Sequence, residues 1–159
     1  MKRLLDMLKK NALETPKNMA KLLNKQEKDV RAAIAGYEKE GIIRGYQAII
    51  NEDKVAAERV QAVIEVRITP EREGGFDKIA SRISKFSEVK SLYLMSGGYD
   101  LLVFVEGNSL KALAMFVSEK LSTISGVLST STHFKLKTYK DHGFLMHTES
   151  NDEKLQITP

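Results

Sequence analysis

SGGYDLLVFVEGNSLKALAMFVSEKLSTISGVLSTSTHFKL, residues 96–136, sets a glycine pair between two apolar runs, and that punctuation decides how the second half of the chain folds. Val89, Leu92 and Leu94 precede Ser96-Gly97-Gly98-Tyr99-Asp100, and Leu101-Leu102-Val103-Phe104-Val105 follows it, so the segment predicts strand, tight turn, strand. Gly97 and Gly98 have no side chains, accept φ > 0 and leave successive N–H groups uncovered, a concavity suited to a carboxylate. Asp100 sets an acceptor beside those donors. A turn with both suits a zwitterion such as a free amino acid; a solvated hairpin tip is the plainer reading of the same residues.

Working outward, Asn108 or Ser109 is placed to cap a helix whose apolar residues Leu110, Leu113, Ala114, Phe116, Val117 and Leu121 recur at helical spacing. Ile124-Ser125-Gly126-Val127 ends that helix. The next run alternates, with Leu128, Thr130, Thr132, Phe134 and Leu136 on one face and Ser129, Ser131, His133, Lys135 and Lys137 on the other, as a sheet covered on one side requires. Upstream, Val60, Ala62, Ile64, Val66 and Ile68 alternate in a first strand stopped at Thr69-Pro70, and Phe76, Ile79, Ala80, Ile83 and Phe86 mark the buried face of a helix. The order is β-α-β-β-α-β, a ferredoxin-like α+β sandwich over residues 60–138. Residues 139–159 remain as a C-terminal tail, in which Leu155-Gln156-Ile157-Thr158 alone has strand character.

The first half is helical. Leu4, Leu5, Leu8 and Ala12 mark one helix; Thr15 caps a second with Pro16 at its first position and Met19, Ala20, Leu22 and Leu23 as its stripe. Asn24-Lys25 turns into a third, where Val30, Ala33, Ile34 and Tyr37 repeat at helical spacing and Gly41 stands at the C-terminus. Two helices joined by a tight turn fit helix-turn-helix, and the β-branched run Ile42–Ile50 reads as a wing. From Met1 to Arg31 nine basic residues face four acidic ones, whereas from Val60 onward the signs balance at twelve each, so the chain's +4 charge is concentrated where phosphates would be met. Lys17, Lys25, Gln26, Lys28, Arg31 and Arg44 are the candidate DNA contacts, because base edges and phosphates are read by such donors. Glu27 and Asp29 suit the helix dipole and repel phosphates.

Gly97-Gly98-Tyr99-Asp100-Leu101, the helix ending in Lys120-Leu121, Ile124-Ser125-Gly126-Val127 and Thr130-Ser131-Thr132 closely resemble the signature of the Lrp/AsnC family of feast/famine transcription regulators. Gly41-Ile42-Ile43-Arg44-Gly45-Tyr46 is similar to that family's pattern after its third helix. The resemblance implies a winged helix-turn-helix over residues 1–50, a linker over 51–59 and an amino-acid-responsive assembly domain over 60–138. It implies double-stranded DNA as a partner, a free amino acid as effector at the turn between subunits, and no resident cofactor. Gly97, Gly98, Tyr99 and Asp100, with Thr130 and Thr132, are the expected effector contacts. It further implies a homodimer whose sheets pair back to back, through candidates Val63, Leu102 and Phe104, and dimers that close into octamers. The sequence departs from the family where Gln26 replaces the usual N-cap Ser and Ala33 a mid-helix Arg. Two alternatives follow: an effector-sensing assembly protein that has lost DNA binding, and an enzyme like the siroheme decarboxylases, which also resemble this family.

Composition sets the remaining bounds. With no cysteine, disulfides, thiolate metal sites and thiol catalysis are excluded. His133, His142 and His147 lack metal-site spacing, and no phosphate loop, serine-nucleophile motif or dinucleotide fingerprint occurs. Catalytic and metal residues are therefore expected to be none. The longest aliphatic and aromatic run, Leu101–Val105, is far too short to cross a membrane, and Asp6 interrupts the N-terminus too early for a secretory segment, so the cytoplasm is the expected compartment.

Overall fold

The computed structural model describes residues 2–55, 59–69 and 75–147, and the chain divides into two compact units between Ile50 and Asn51. The stretch Leu155–Thr158 lies outside the described residues.

The first unit holds α1 (Lys2–Lys10), α2 (Pro16–Leu23) and α3 (Glu27–Lys39). Thr15 starts α2: its hydroxyl accepts from the Asn18 N–H at 3.2 Å, with Pro16 next in the first turn. Asn24 ends it in the left-handed region at φ 51°, where Asn is tolerated, and the Lys25 N–H returns to the Ala20 carbonyl at 2.9 Å. Gly41 does the same for α3 at φ 71°: the Gly41 N–H bonds the Glu38 carbonyl at 3.1 Å and the Ile42 N–H bonds that of Tyr37 at 2.8 Å. Leu4, Leu8, Met19, Ala20, Val30 and Tyr37 form the core, and each fully buried aliphatic side chain there contributes about 1.5–3 kcal/mol.

Three expectations for this unit are corrected. Ala12 lies beyond the end of α1 and is exposed. Leu22 is 66% exposed, because Met19, Ala20 and Leu23 already fill the side of α2 that meets α3. Ile42–Ile50 makes no wing hairpin: the run is strand-free, since β-branched residues form a ladder only when a second strand is there to pair.

The second unit begins with a 3-10 turn at Glu52–Lys54 and then builds a four-stranded antiparallel sheet, ordered β2-β3-β1-β4, from β1 (Val60–Ile68), β2 (Val89–Leu94), β3 (Leu101–Gly107) and β4 (Val127–Phe134). α4 (Gly75–Ile83) and α5 (Leu110–Met115) complete the β-α-β-β-α-β order, the expected ferredoxin-like α+β architecture. Ala62, Ile64, Val66 and Ile68 of β1 and Leu101, Val103 and Val105 of β3 meet Ile79, Ile83, Leu113, Phe116 and Leu121 in one core. Alternation puts Val63, Glu65 and Arg67 of β1, Leu102 and Phe104 of β3 and Tyr93 of β2 on the opposite face.

Ser109 is the cap of α5, accepting from the Ala112 N–H at 3.0 Å. Leu110, 56% exposed, and Ala114, also exposed, do not join the buried stripe. The helix instead widens into a π-helical segment at Phe116–Leu121, closed by the Ser122 N–H on the Val117 carbonyl at 2.8 Å, and this stacks Phe116 and Leu121, five apart, over the core at 2% and 0% exposure. Leu128 is likewise corrected. The β1–β4 register slips between Arg67 and Ile68, Val127 takes the place opposite Ile68, and Leu128 is left 68% exposed.

Part of the expected tail is folded. β5 (Lys140–Asp141) and β6 (Phe144–Leu145) pair across His142 and Gly143, both at positive φ (44° and 93°), the backbone of a tight I′-type hairpin turn. Met146 is buried, its N–H bonds the Tyr139 carbonyl at 3.0 Å, and the Asn51 side-chain amide donates to its carbonyl.

Candidate functional site

The Ser96–Asp100 turn is braced more heavily than the glycine pair alone suggests. Gly97 has positive φ, 147°, whereas Gly98 does not, so one residue and not two requires glycine's freedom. The Met95 N–H closes the hairpin on the Asp100 carbonyl at 2.8 Å, and the Asp100 N–H donates to the Val66 carbonyl at 3.0 Å. Asp100 Oδ2 accepts from the Ile68 N–H at 2.8 Å, just past the Val66–Leu101 pair, where the β1–β3 pairing ends and leaves that donor without a strand partner. Arg67, beside it in β1, donates Nε–H to the Gly98 carbonyl at 2.8 Å. Three residues of β1 therefore hold the turn, Val66 through its carbonyl, Arg67 through its guanidinium and Ile68 through its N–H on the Asp100 carboxylate.

The six expected effector contacts separate into two groups. Gly97, Gly98, Tyr99 and Asp100 are contiguous, with Tyr99 and Asp100 half-buried. Thr130 lies on β4 opposite Val66 and Thr132 opposite Ile64, with β1 intervening, so Thr130 stands about 10 Å from β3 at ordinary strand spacing. The Thr130 hydroxyl is 3.3 Å from that of Ser122. A single chain does not assemble all six around one ligand. Arg67 escaped the sequence reading, although the β1 alternation carries the signal: it is the last outward residue before the strand ends.

On α3, Lys28, Arg31, Ala32 and Ala35 are exposed, as are Lys17 of α2 and Lys25 and Gln26 of the connecting turn. Gln26 starts α3 without a side-chain capping bond. Arg31 is held by Glu27 one turn earlier, Nε and Nη2 at 2.9 and 2.7 Å from Oε1, so its guanidinium faces outward with its charge partly matched. Arg44 packs back over Gly41, its Nη1 3.3 Å from where a Cβ would stand. The Tyr46 hydroxyl donates to Glu38 at 2.8 Å, and that bond holds the phenol above its ordinary pKa.

The outer sheet face is partly apolar: Tyr93 is 53% and Phe104 38% exposed, and their rings meet edge to face at 5.9 Å. Ser131, His133 and Glu65 lie on the same face, but both Ser131 Oγ (3.3 Å) and Glu65 (3.4 Å) approach the same atom, His133 Nε2. A relay needs the base's two nitrogens to serve nucleophile and carboxylate separately, so this trio has the wrong geometry for acyl transfer. No group of three metal-ligating side chains occurs among the described residues, and no helix there is long and apolar enough to cross a membrane.

A helix-turn-helix unit followed by a ferredoxin-like sandwich is the two-part arrangement of a helix-turn-helix regulator with a second domain. Residues 61–145 match the Lrp/AsnC ligand binding domain. The chain is 43% identical over 157 residues to the uncharacterized HTH-type transcriptional regulator YugG of Bacillus subtilis strain 168, covering 98% of this chain and 95% of the relative. It is 32% identical over 124 residues to the HTH-type transcriptional regulator LrpA of Pyrococcus abyssi, covering 78% and 85%. A transcriptional regulator of Neisseria meningitidis, solved in complex with L-methionine, superposes with a TM-score of 0.67 at 25% identity, covering 87% of this chain and 88% of that one. The chain belongs to the Lrp/AsnC family of transcriptional regulators. These relatives are regulators and not enzymes, which removes the decarboxylase alternative.

Proposed function

We propose that this regulator is a cytoplasmic, DNA-binding homodimer or larger ring whose assembly is shifted by a free amino acid. The observation that carries the reading is the braced turn at Ser96–Asp100, which sets backbone donors and a half-buried carboxylate side by side in the part of the chain that matches the family's ligand binding domain; the Neisseria relative solved in complex with L-methionine supports an amino acid as the ligand. Gly97, Gly98, Tyr99 and Asp100 of one subunit contact the ligand, and Thr130 and Thr132 join from a neighbouring copy, which accounts for their separation within one chain. Lys17, Lys25, Lys28, Arg31 and Arg44 meet phosphates while Gln26 and Arg31 reach base edges. A ligand that prefers one assembly then changes how recognition helices are presented, because it shifts the equilibrium by its differential affinity for the two states. The Arg31–Glu27 pair favours a second reading, in which the sandwich senses and assembles but α3 no longer binds DNA.

Selection of bound fragments from the host genome, followed by gel shift at low salt with and without each common amino acid, tests both. Fragments whose retention changes with one amino acid support the proposal. Retention of no fragment at low salt selects the second reading, and retention insensitive to every amino acid removes the effector.

A further inference from the structure

Arg67 is an exposed cation tied to the glycine turn and, among the described residues, to no carboxylate. Its Nε–H donates to the Gly98 carbonyl at 2.8 Å, and among the described residues it forms no salt bridge. Among the described residues, two acidic groups of the same strands are engaged elsewhere: Asp100 Oδ2 takes the Ile68 N–H, and Glu65, the preceding outward residue of β1, faces His133 at 3.4 Å. With Nε held on the Gly98 carbonyl, the planar guanidinium is kept at the turn, and its two terminal nitrogens form a fork with no carboxylate partner among the described residues. At Gly97 and Gly98 an added Cβ would meet nothing within 4 Å, so the approach to that fork over the turn is open.

We infer that Arg67 is the carboxylate-binding residue of the effector site, and that Asp100 chiefly braces the turn. This deepens the proposed function and rests on it. The ligand class is narrowed to molecules with a free carboxylate, since a guanidinium fork recognises a planar pair of oxygens and leaves an amide or alcohol with one unmatched group. The same arrangement explains why the turn needs only one glycine at positive φ: the main anion donor is a side chain, and the backbone has only to let the ligand approach.

The test exploits a coincidence of atom positions. In Arg67→Gln the side-chain amide nitrogen stands at the same bond distance from Cα as arginine Nε, so the bond to the Gly98 carbonyl survives while the cation is deleted. Calorimetry of the full-length wild type first identifies which of the twenty common amino acids binds most tightly; that amino acid and its carboxamide are then titrated into wild type and Arg67→Gln. Wild type should prefer the acid to the amide at least about tenfold, the scale of a charged hydrogen bond. Arg67→Gln should keep the wild-type melting temperature, lose about ten- to a hundred-fold in affinity for the acid, and lose the preference for acid over amide. An Arg67→Gln protein that retains that preference overturns the assignment while leaving amino-acid sensing intact. If no amino acid binds wild type at millimolar concentration, the effector reading itself fails and Arg67 falls with it. A drop in melting temperature with acid preference unchanged would make Arg67 a brace of the turn only.

Discussion

Asp100 makes one backbone contact through its side chain, and the consequences are separable by two substitutions. Asp100→Ala leaves the half-buried Ile68 N–H without an acceptor, which costs about 1–3 kcal/mol and lowers the melting temperature. Asp100→Asn keeps an oxygen in place and should recover most of that loss, while removing the charge. Thermal denaturation of both, with amino-acid titration of the Asn variant, divides bracing from ligand contact: an Asn variant that is as stable as wild type but no longer binds the effector shows that the charge itself meets the ammonium. The importance of Asp100 was legible from its place after the glycines. Its contact with Ile68 was not, because the donor becomes available only where β1 outruns its pairing with β3, two strands that are distant in sequence.

Among the elements, α3 and the α5 cap illustrate what local chemistry can specify. Thr15, Pro16, Ser109 and Gly41 act within three or four residues of themselves, so the chain alone announces them. The missing wing and the β5–β6 hairpin depend on whether a second strand is present, which residue type does not encode. Gln26 offers a test on α3. Gln26→Ser supplies the absent cap and should stabilise the protein by about 1 kcal/mol, read as a higher melting temperature. If Gln26 also reads a base, the same change relaxes sequence preference at one position per half-site. Lys28→Ala should instead lower affinity evenly across sequences and reduce the salt slope by about 0.9 per lost phosphate contact, measured by gel shift over a salt series.

Acid should loosen the link between the π-helical segment and the sheet. The Lys120 ammonium, 2.7 Å from Glu88, lies about as far from the Phe86 ring as from that of Phe116, and its bond holds the Glu88 carboxyl below the ordinary value of 4.5. For Glu106 burial pushes the other way, but the Arg59 guanidinium at 2.6 Å prevails and its pKa is also lowered. A lowered folded-state pKa means stabilisation that is present above the unfolded value and lost as pH falls through the folded one. The melting temperature should therefore drop from about pH 4.5 downward, and by less in Glu88→Gln, which has no carboxylate to protonate.

At the scale of the molecule, each unit has its own small core, and the outer sheet face leaves Tyr93 and Phe104 in solvent beside half-buried Val63 and Leu102. Pairing that face with its own copy is the isologous arrangement that a two-fold axis produces. If the proposed dimer forms through this face, Phe104→Glu places like charges against each other across its axis and should give a 17.9 kDa species in light scattering, with the fold of each subunit retained by circular dichroism. A variant that stays at the wild-type mass would move the interface elsewhere. The face was visible in the sequence as the apolar members of alternating strands, but the aromatic pair on it required the β2–β3 register.

The π-helical turn at Phe116–Leu121 has a bearing on how this chain is compared with its relatives. A helix that closes five residues back contains, in effect, one residue more than the α-helix spanning the same rise, so positions before Phe116 and after Leu121 keep different phases around the axis. Superimposed on a relative with an unbroken α-helix, the two ends match only if a one-residue gap is opened inside the segment. Counted along an unbroken α-helix, Leu113 and Leu121, eight apart, would stand about 80° from each other around the axis, whereas the extra residue brings both into one core; an ungapped alignment would therefore carry mutational conclusions from one protein to the wrong side chain of the other.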